Sequence, residues 1–174
     1  MARVVVLTGK RGVGKTTVCR ETVALARGRG HECAGILTLA RDGIRDVYDV
    51  RDGETRRLTR RPGYDSAVVQ GRFRFDPETL RWGGDVLARS VPCDLLFVDE
   101  IGPLEIERNR GWVVAFDVLR SGAFALAVVV VRPELVSRAQ RRLPGLDSEV
   151  LFTTRENRDR LPGVLMEMLK KQEV

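Results

Sequence analysis

Gly9-Lys10-Arg11-Gly12-Val13-Gly14-Lys15-Thr16-Thr17 is the stretch that decides the fold, and it lies between an apolar run and a helical pattern. Val4-Val5-Val6-Leu7 before it reads as a short buried strand. After it, Val18, Val23, Leu25 and Ala26 suit a helix from Thr16 to Arg27. Strand, glycine-rich loop and helix in that order form a phosphate cradle. The pattern G-x-x-x-x-G-K-[ST] places glycines where successive backbone N–H groups turn inward around phosphate oxygens and a Cβ would clash. Lys15 is then positioned to neutralise β- and γ-phosphates, and the Thr16 hydroxyl to take one position on Mg²⁺. The anion rests at a helix N-terminus, where free N–H groups and the helix dipole favour negative charge.

Beyond that helix, the glycines at 28 and 30 supply a stop, and residues 34–39 read as the next strand. Arg41-Asp42-Gly43 and Arg51-Asp52-Gly53 are two Asp-Gly turns, so an antiparallel meander is expected with strands near 34–39, 44–50 and 54–59. Residues 60–70 read as a polar loop, and 71–75 alternate arginine and phenylalanine as a short strand would. Asp76 and Pro77 open a helix running to about Arg89, as N-cap and first helical residue. The second half alternates strand 95–98, helix near 110–121, strand 125–131, helix 133–141, strand 150–153 and helix 162–170. Such alternation predicts an α/β fold: a mostly parallel sheet with helices on both faces, carrying an antiparallel β-meander insertion. A chain of 174 residues suits one domain spanning 1–174.

The second chemical motif is Leu95-Leu96-Phe97-Val98-Asp99-Glu100, an apolar strand ending in two carboxylates. A phosphate-loop fold needs one carboxylate there to hold Mg²⁺, and Asp99 takes that role. Glu100 is placed to orient and deprotonate a water attacking the γ-phosphate, which makes the expected reaction hydrolysis. Two rival classes fit less well. Asp99-Glu100-Ile101-Gly102 satisfies the D-x-x-G pattern of GTPases, yet the chain has no [NT]-K-x-D segment to read guanine. Lys10 occupies the signature-lysine position of deviant Walker A ATPases, but Arg11 stands where that class usually has glycine.

Composition is that of a folded, water-soluble chain, 43% hydrophobic and 31% charged. The longest apolar run, 123–131, is strand-sized, and no signal-peptide pattern precedes the loop, so a cytoplasmic location and no membrane partner are expected. Cys19, Cys33 and Cys93 lack metal-ligand spacing and read as reduced buried thiols, and His31 as a surface residue. The net charge of +6 and pI near 9.8 raise nucleic acid as a partner, with Arg56, Arg57, Arg60 and Arg61 the densest basic cluster. The arginines are interleaved with 24 acidic residues, which favours a solvated basic face. A monomer is the expectation, although no residue pattern decides oligomeric state.

Taken with Thr154-Arg155-Glu156-Asn157-Arg158-Asp159 and Val98-Asp99-Glu100-Ile101-Gly102-Pro103-Leu104-Glu105, the loop resembles the THEP-type nucleoside-triphosphatases, also called cancer-related NTPases. The resemblance covers essentially the whole chain. It implies a RecA-like P-loop domain that hydrolyses ATP, GTP and other nucleoside triphosphates to diphosphate and phosphate with Mg²⁺ and broad base specificity. On this chain it implies Lys15 and Thr16 for phosphate and metal, Asp99 for the metal, and Glu100 for water. It also places Gly102 and Glu105 in a loop facing the γ-phosphate, and Asn157 and Arg158 along the base or ribose. Leu104 stands where relatives often have methionine, and Lys10 and Arg11 where smaller residues are common. The transition-state arginine remains open among Arg132, Arg141, Arg142 and one supplied in trans. A small-molecule or polynucleotide kinase, and a nucleotide-switched binding module, remain as alternatives.

Overall fold

The computed structural model describes residues 2–60, 68–71, 73–143 and 148–171. Its centre is a run of parallel strands: β1 (Arg3–Thr8), β2 (Cys33–Arg41), β7 (Cys93–Ile101), β8 (Phe124–Val131) and β9 (Ser148–Phe152). Two antiparallel strands, β3 (Ile44–Asp49) and β4 (Thr55–Arg57), extend the sheet at one side, giving the order β4-β3-β2-β7-β8-β1-β9. The meander expected from the Asp-Gly turns is therefore present, pairing Arg41 with Ile44 across Asp42-Gly43 and Tyr48 with Thr55. Continuous apolar runs fill the middle. Val4 to Leu7, Leu95 to Val98 and Leu126 to Val131 are essentially unexposed because each is covered on both faces.

One face carries α1 (Lys15–Gly28) and α6 (Leu161–Lys170). They bury Val18, Val23, Leu165 and Leu169 against Val5, Leu7 and Val128. The other face carries α2 (Pro77–Ala88) and α4 (Val114–Ser121), which bury Val86, Phe116 and Leu119 against Val4, Val6 and Leu96. Alternate residues of one strand thus feed two separate cores. The family-level expectation of a RecA-like P-loop sheet with helices on both faces holds.

Several boundaries differ from the sequence reading. The segment expected as helix from 110 begins at Val114, because Gly111 stands at φ +70° and the chain first turns through a short α3 (Pro103–Ile106) that periodicity does not reveal. The helix expected from Pro133 opens as a 3₁₀ turn (Pro133–Leu135) before α5 (Val136–Arg141). Residues 68–70, read as loop, form β5 (Val68–Gln70), which pairs with β6 (Phe73–Phe75) in a hairpin about Gly71. The rest of that expected loop, 61–67, with Arg61, lies outside the described residues.

Asp76 does occupy the N-cap of α2, but its carboxylate accepts from the Thr79 hydroxyl at 2.9 Å and from Arg60 at 2.9 Å. His31 is half-buried rather than on the surface, with Nδ1 3.8 Å from Asp94. All three cysteines are free and buried, and burial pushes the thiols up, Cys33 to about 11 and Cys93 to about 12. Among the described residues, no helix is long and apolar enough to cross a membrane.

Candidate active site

The carboxyl ends of the parallel strands β1, β7 and β8 meet at one edge, and the glycine-rich loop crosses them between β1 and α1. Gly9 stands at φ +145°, and a Cβ there would lie 2.4 Å from the Thr153 carbonyl oxygen; only glycine lets the loop leave β1 so close to β9. Gly14 caps α1 at φ +109°, turning the first N–H groups of the helix toward the loop's concave side. Lys15 Nζ donates to the carbonyls of Gly9 at 2.7 Å and Lys10 at 2.9 Å. An ammonium has three donors, so these bonds hold the head over the cradle with one donor to give. Burial lowers the Lys15 pKa, while the charges of Asp99 and Glu100 oppose that shift. Lys10 and Arg11 are exposed on the cavity rim, Thr17 faces solvent, and Val13 packs inward.

Across the cradle, β7 delivers the two carboxylates in different directions. Val98 pairs with Val129 but Ile101 with Val131, so Asp99 and Glu100 together oppose the single residue Val130. That β-bulge, with Glu100 at φ +64°, keeps Asp99 buried while Glu100 turns into the cavity. One Asp99 oxygen accepts from the Thr16 hydroxyl at 2.9 Å and from the Thr38 backbone N–H at 3.0 Å. Its other oxygen, Oδ1, is buried and has no hydrogen-bond partner among the described residues. A buried carboxylate oxygen without a donor, beside a threonine hydroxyl at a helix N-terminus, is a hard-oxygen set that suits Mg²⁺. Burial, with the neighbouring Glu100 charge, pushes the Asp99 carboxyl up to about 7.

Glu100 lies in an ion pair with Arg45 of β3. The guanidinium of Arg45 also covers the Phe73 ring, 4.1 Å from its centroid. The sequence reading missed Arg45. Its signal was available: β3 places Arg45, Val47 and Asp49 on one inward face, where an arginine demands a partner.

A cavity of about 870 Å³ is lined by Lys15, Arg45, Glu100 and Arg132 together with Phe73, Phe75, Leu80 and Trp112. Gly102 and Glu105 also line it, in specific positions. The Glu105 carboxylate accepts from the N–H of Gly102 at 3.0 Å and of Trp112 at 3.1 Å, so it clamps the loop after β7. The Gly102 N–H is thereby already bonded. Gly111 gives Glu105 room, since a Cβ there would lie 2.3 Å from Glu105 Oε1.

Asn157 and Arg158 part company. Asn157 donates to the Phe152 carbonyl at 2.8 Å and accepts from the Thr154 N–H at 2.8 Å, so its amide shapes its own loop. Arg158 reaches the back of the phosphate loop, within 3.1 Å of a Cβ placed on Gly14. Of the three arginines singled out in sequence, Arg132 lines the cavity. Arg141 is exposed on α5, and Arg142 stacks over Phe116 at 4.5 Å and bonds Asn109.

The chain is similar to known proteins along most of its length. A family model described as NTPase matches residues 4–166. Nucleoside-triphosphatase THEP1 of Methanosarcina acetivorans is 34% identical over 165 residues, 91% of each chain. THEP1 of Hyperthermus butylicus is 33% identical, covering 96% of this chain and 91% of that protein. The solution structure of a human cancer-related nucleoside triphosphatase superposes with a TM-score of 0.70 at 24% identity, over 97% of this chain and 98% of that one. The crystal structure of THEP1 from the hyperthermophile Aquifex aeolicus gives 0.67 at 20% identity, over 98% and 99%, and both share the fold. With the phosphate loop, the paired carboxylates and relatives a third identical along nine-tenths of its length, this chain belongs to the NTPase family, among the nucleoside-triphosphatases of the THEP1 type.

Proposed function

We propose that this protein, acting as one domain over 1–174, hydrolyses ATP, GTP and other nucleoside triphosphates to diphosphate and phosphate, dependent on Mg²⁺ and with broad base specificity. The observation that carries the reading is the buried Oδ1 of Asp99 beside Thr16, without a hydrogen-bond partner among the described residues, with Glu100 turned into the same cavity as Lys15. Thr16 and Asp99 would hold the metal, Asp99 directly or through water. When bound, Mg²⁺ supplies neutralisation of charge on the β- and γ-phosphate oxygens.

The protein's own groups do the rest. The loop N–H groups from Gly9 to Thr17 and the Lys15 ammonium hold the phosphates. Glu100 orients a water and accepts its proton as the water oxygen bonds to the γ-phosphorus and the bond to the bridging oxygen breaks. Arg132 faces the charge that gathers on the departing phosphate. Arg158, beside Gly14, offers a planar guanidinium that stacks on any base, which suits low base discrimination.

Phosphate release from ATP, GTP, CTP and UTP, with Mg²⁺ and with chelator, tests the reading. Release from all four that chelator abolishes is expected; no release from any of them overturns it. A kinase reading draws on the apolar side chains that share the cavity, Phe73, Phe75, Leu80 and Trp112, which a water nucleophile does not require. It requires phosphate release to stay low until an acceptor is added. The switch-module reading loses support, because Arg56 pairs with Glu54, Arg57 with Asp46 and Arg60 with Asp76. A cytoplasmic monomer without a membrane partner completes the proposal.

A further inference from the structure

Arg45 stands at an inward position of β3, its side chain only 8% exposed. A guanidinium so far out of water is unfavourable unless its charge is paired and its plane packed. Both conditions are met: the Phe73 ring lies 4.1 Å from it, and the Glu100 carboxylate pairs with it. Burial lowers the Arg45 pKa and the Glu100 charge works against that shift. Glu100 has the opposite problem. Its side chain is 37% exposed on a bulged, left-handed residue, so several rotamers are open to it and only some face the phosphate loop.

The geometry points to Arg45 as a positioning residue for Glu100: a fixed cation, clamped by Phe73, that holds the carboxylate of the water-orienting residue at the cradle. The inference rests on the role proposed for Glu100. Two features set it apart from a phosphate-binding role. One face of the guanidinium is covered by Phe73, and its charge is already matched by Glu100. Rigid placement matters because displacement of a reacting group by about 1 Å costs about a hundredfold in rate.

The experiment compares wild type, Arg45→Met, Arg45→Lys, Glu100→Gln and the double variant Arg45→Met/Glu100→Gln in steady-state ATP hydrolysis, with binding of a fluorescent ATP analogue measured alongside. Arg45→Met is expected to lower kcat by about 10- to 100-fold, with KM and analogue affinity within about threefold of wild type. Arg45→Lys, which keeps the charge, should recover part of that loss. In the Glu100→Gln background, Arg45→Met should cost no more than about twofold, because the residue it positions is already disabled.

An unchanged kcat in Arg45→Met overturns the proposal, as does a higher kcat, which would make the pair a brake. A raised KM at constant kcat, or a full further loss in the double variant, also overturns it by assigning Arg45 to substrate. Full turnover in Glu100→Gln removes the role proposed for Glu100 and this inference together; loss there without loss in Arg45→Met removes the inference alone. If Arg45→Met melts below assay temperature, Phe73→Leu takes its place. That variant removes the clamp and keeps the charge, so a severalfold drop in kcat at constant KM is expected and no drop overturns the proposal.

Discussion

The phosphate loop and the side of the cleft proposed to hold the water nucleophile face each other across one cavity but are built differently. In the loop, the bonds that set the geometry are local: Lys15 reaches carbonyls five and six residues back, and glycine dihedrals do the bending. On the opposite side, Thr16 meets Asp99 across 83 residues, Thr38 meets Asp99 across 61, and Arg45 meets Glu100 across 55. The first is a property of nine consecutive residues. The second exists only where β2, β3 and β7 lie in register, so it depends on the sheet being correctly assembled.

Variants separate the two sides, beginning with the largest effect. Arg132→Ala should lower kcat by about 10³-fold if it stabilises the transition state, whereas Arg141→Ala stays within about twofold of wild type. Equal losses in both would detach that charge from the cavity. Glu100→Gln should lower kcat by about 10²- to 10³-fold while nucleotide affinity stays within about threefold, and Lys15→Ala should do the reverse, weakening affinity by about 10²-fold. Titration with a fluorescent nucleotide and single-turnover hydrolysis measure the two effects apart. If both variants lost affinity alone, the division into binding side and nucleophile side would collapse.

Stability probes sharpen the comparison further. Glu105→Ala leaves the N–H groups of Gly102 and Trp112 buried without an acceptor, and should destabilise the fold by about 2–4 kcal/mol in denaturant titration. Its kcat should fall with it, since the same loop follows Glu100. Arg56→Ala, which removes a cation lying 4.6 Å over the Trp82 ring, should cost about 0.5–1 kcal/mol and leave turnover unchanged. A large loss of DNA or RNA binding in that variant would restore the basic cluster to a functional role.

Much of the fold was legible from short-range pattern. Apolar runs located the central strands, because strands covered on both faces carry no polar alternation. The two Asp-Gly turns located the meander, because Gly43 and Gly53 adopt positive φ where other residues are strained. What escaped shares one cause. The turn α3 is held by Glu105 and packed beneath Trp112, and β5 exists only through its pairing with β6, so neither leaves a periodic trace. Of the candidate site, Gly9, Gly14, Lys15, Thr16, Asp99 and Glu100 all meet at the cavity or the loop beside it, as motif spacing implies. Asn157 and Glu105 were legible as notable residues, but their hydrogen bonds to backbone were not, since a side chain's partner is a matter of three dimensions.

By itself, the sequence determined a glycine-rich loop between β1 and α1 shaped to take phosphates, and a pair of carboxylates that ends a buried strand. Both follow from backbone sterics and from the rule that a buried charge must have a purpose or a partner. Only the tertiary structure decided which arginine joins which carboxylate. Sheet order and the bulge in β7 bring Arg45 to Glu100 and leave Asp99 Oδ1 without a partner among the described residues, and neither register nor bulge is encoded in any one segment.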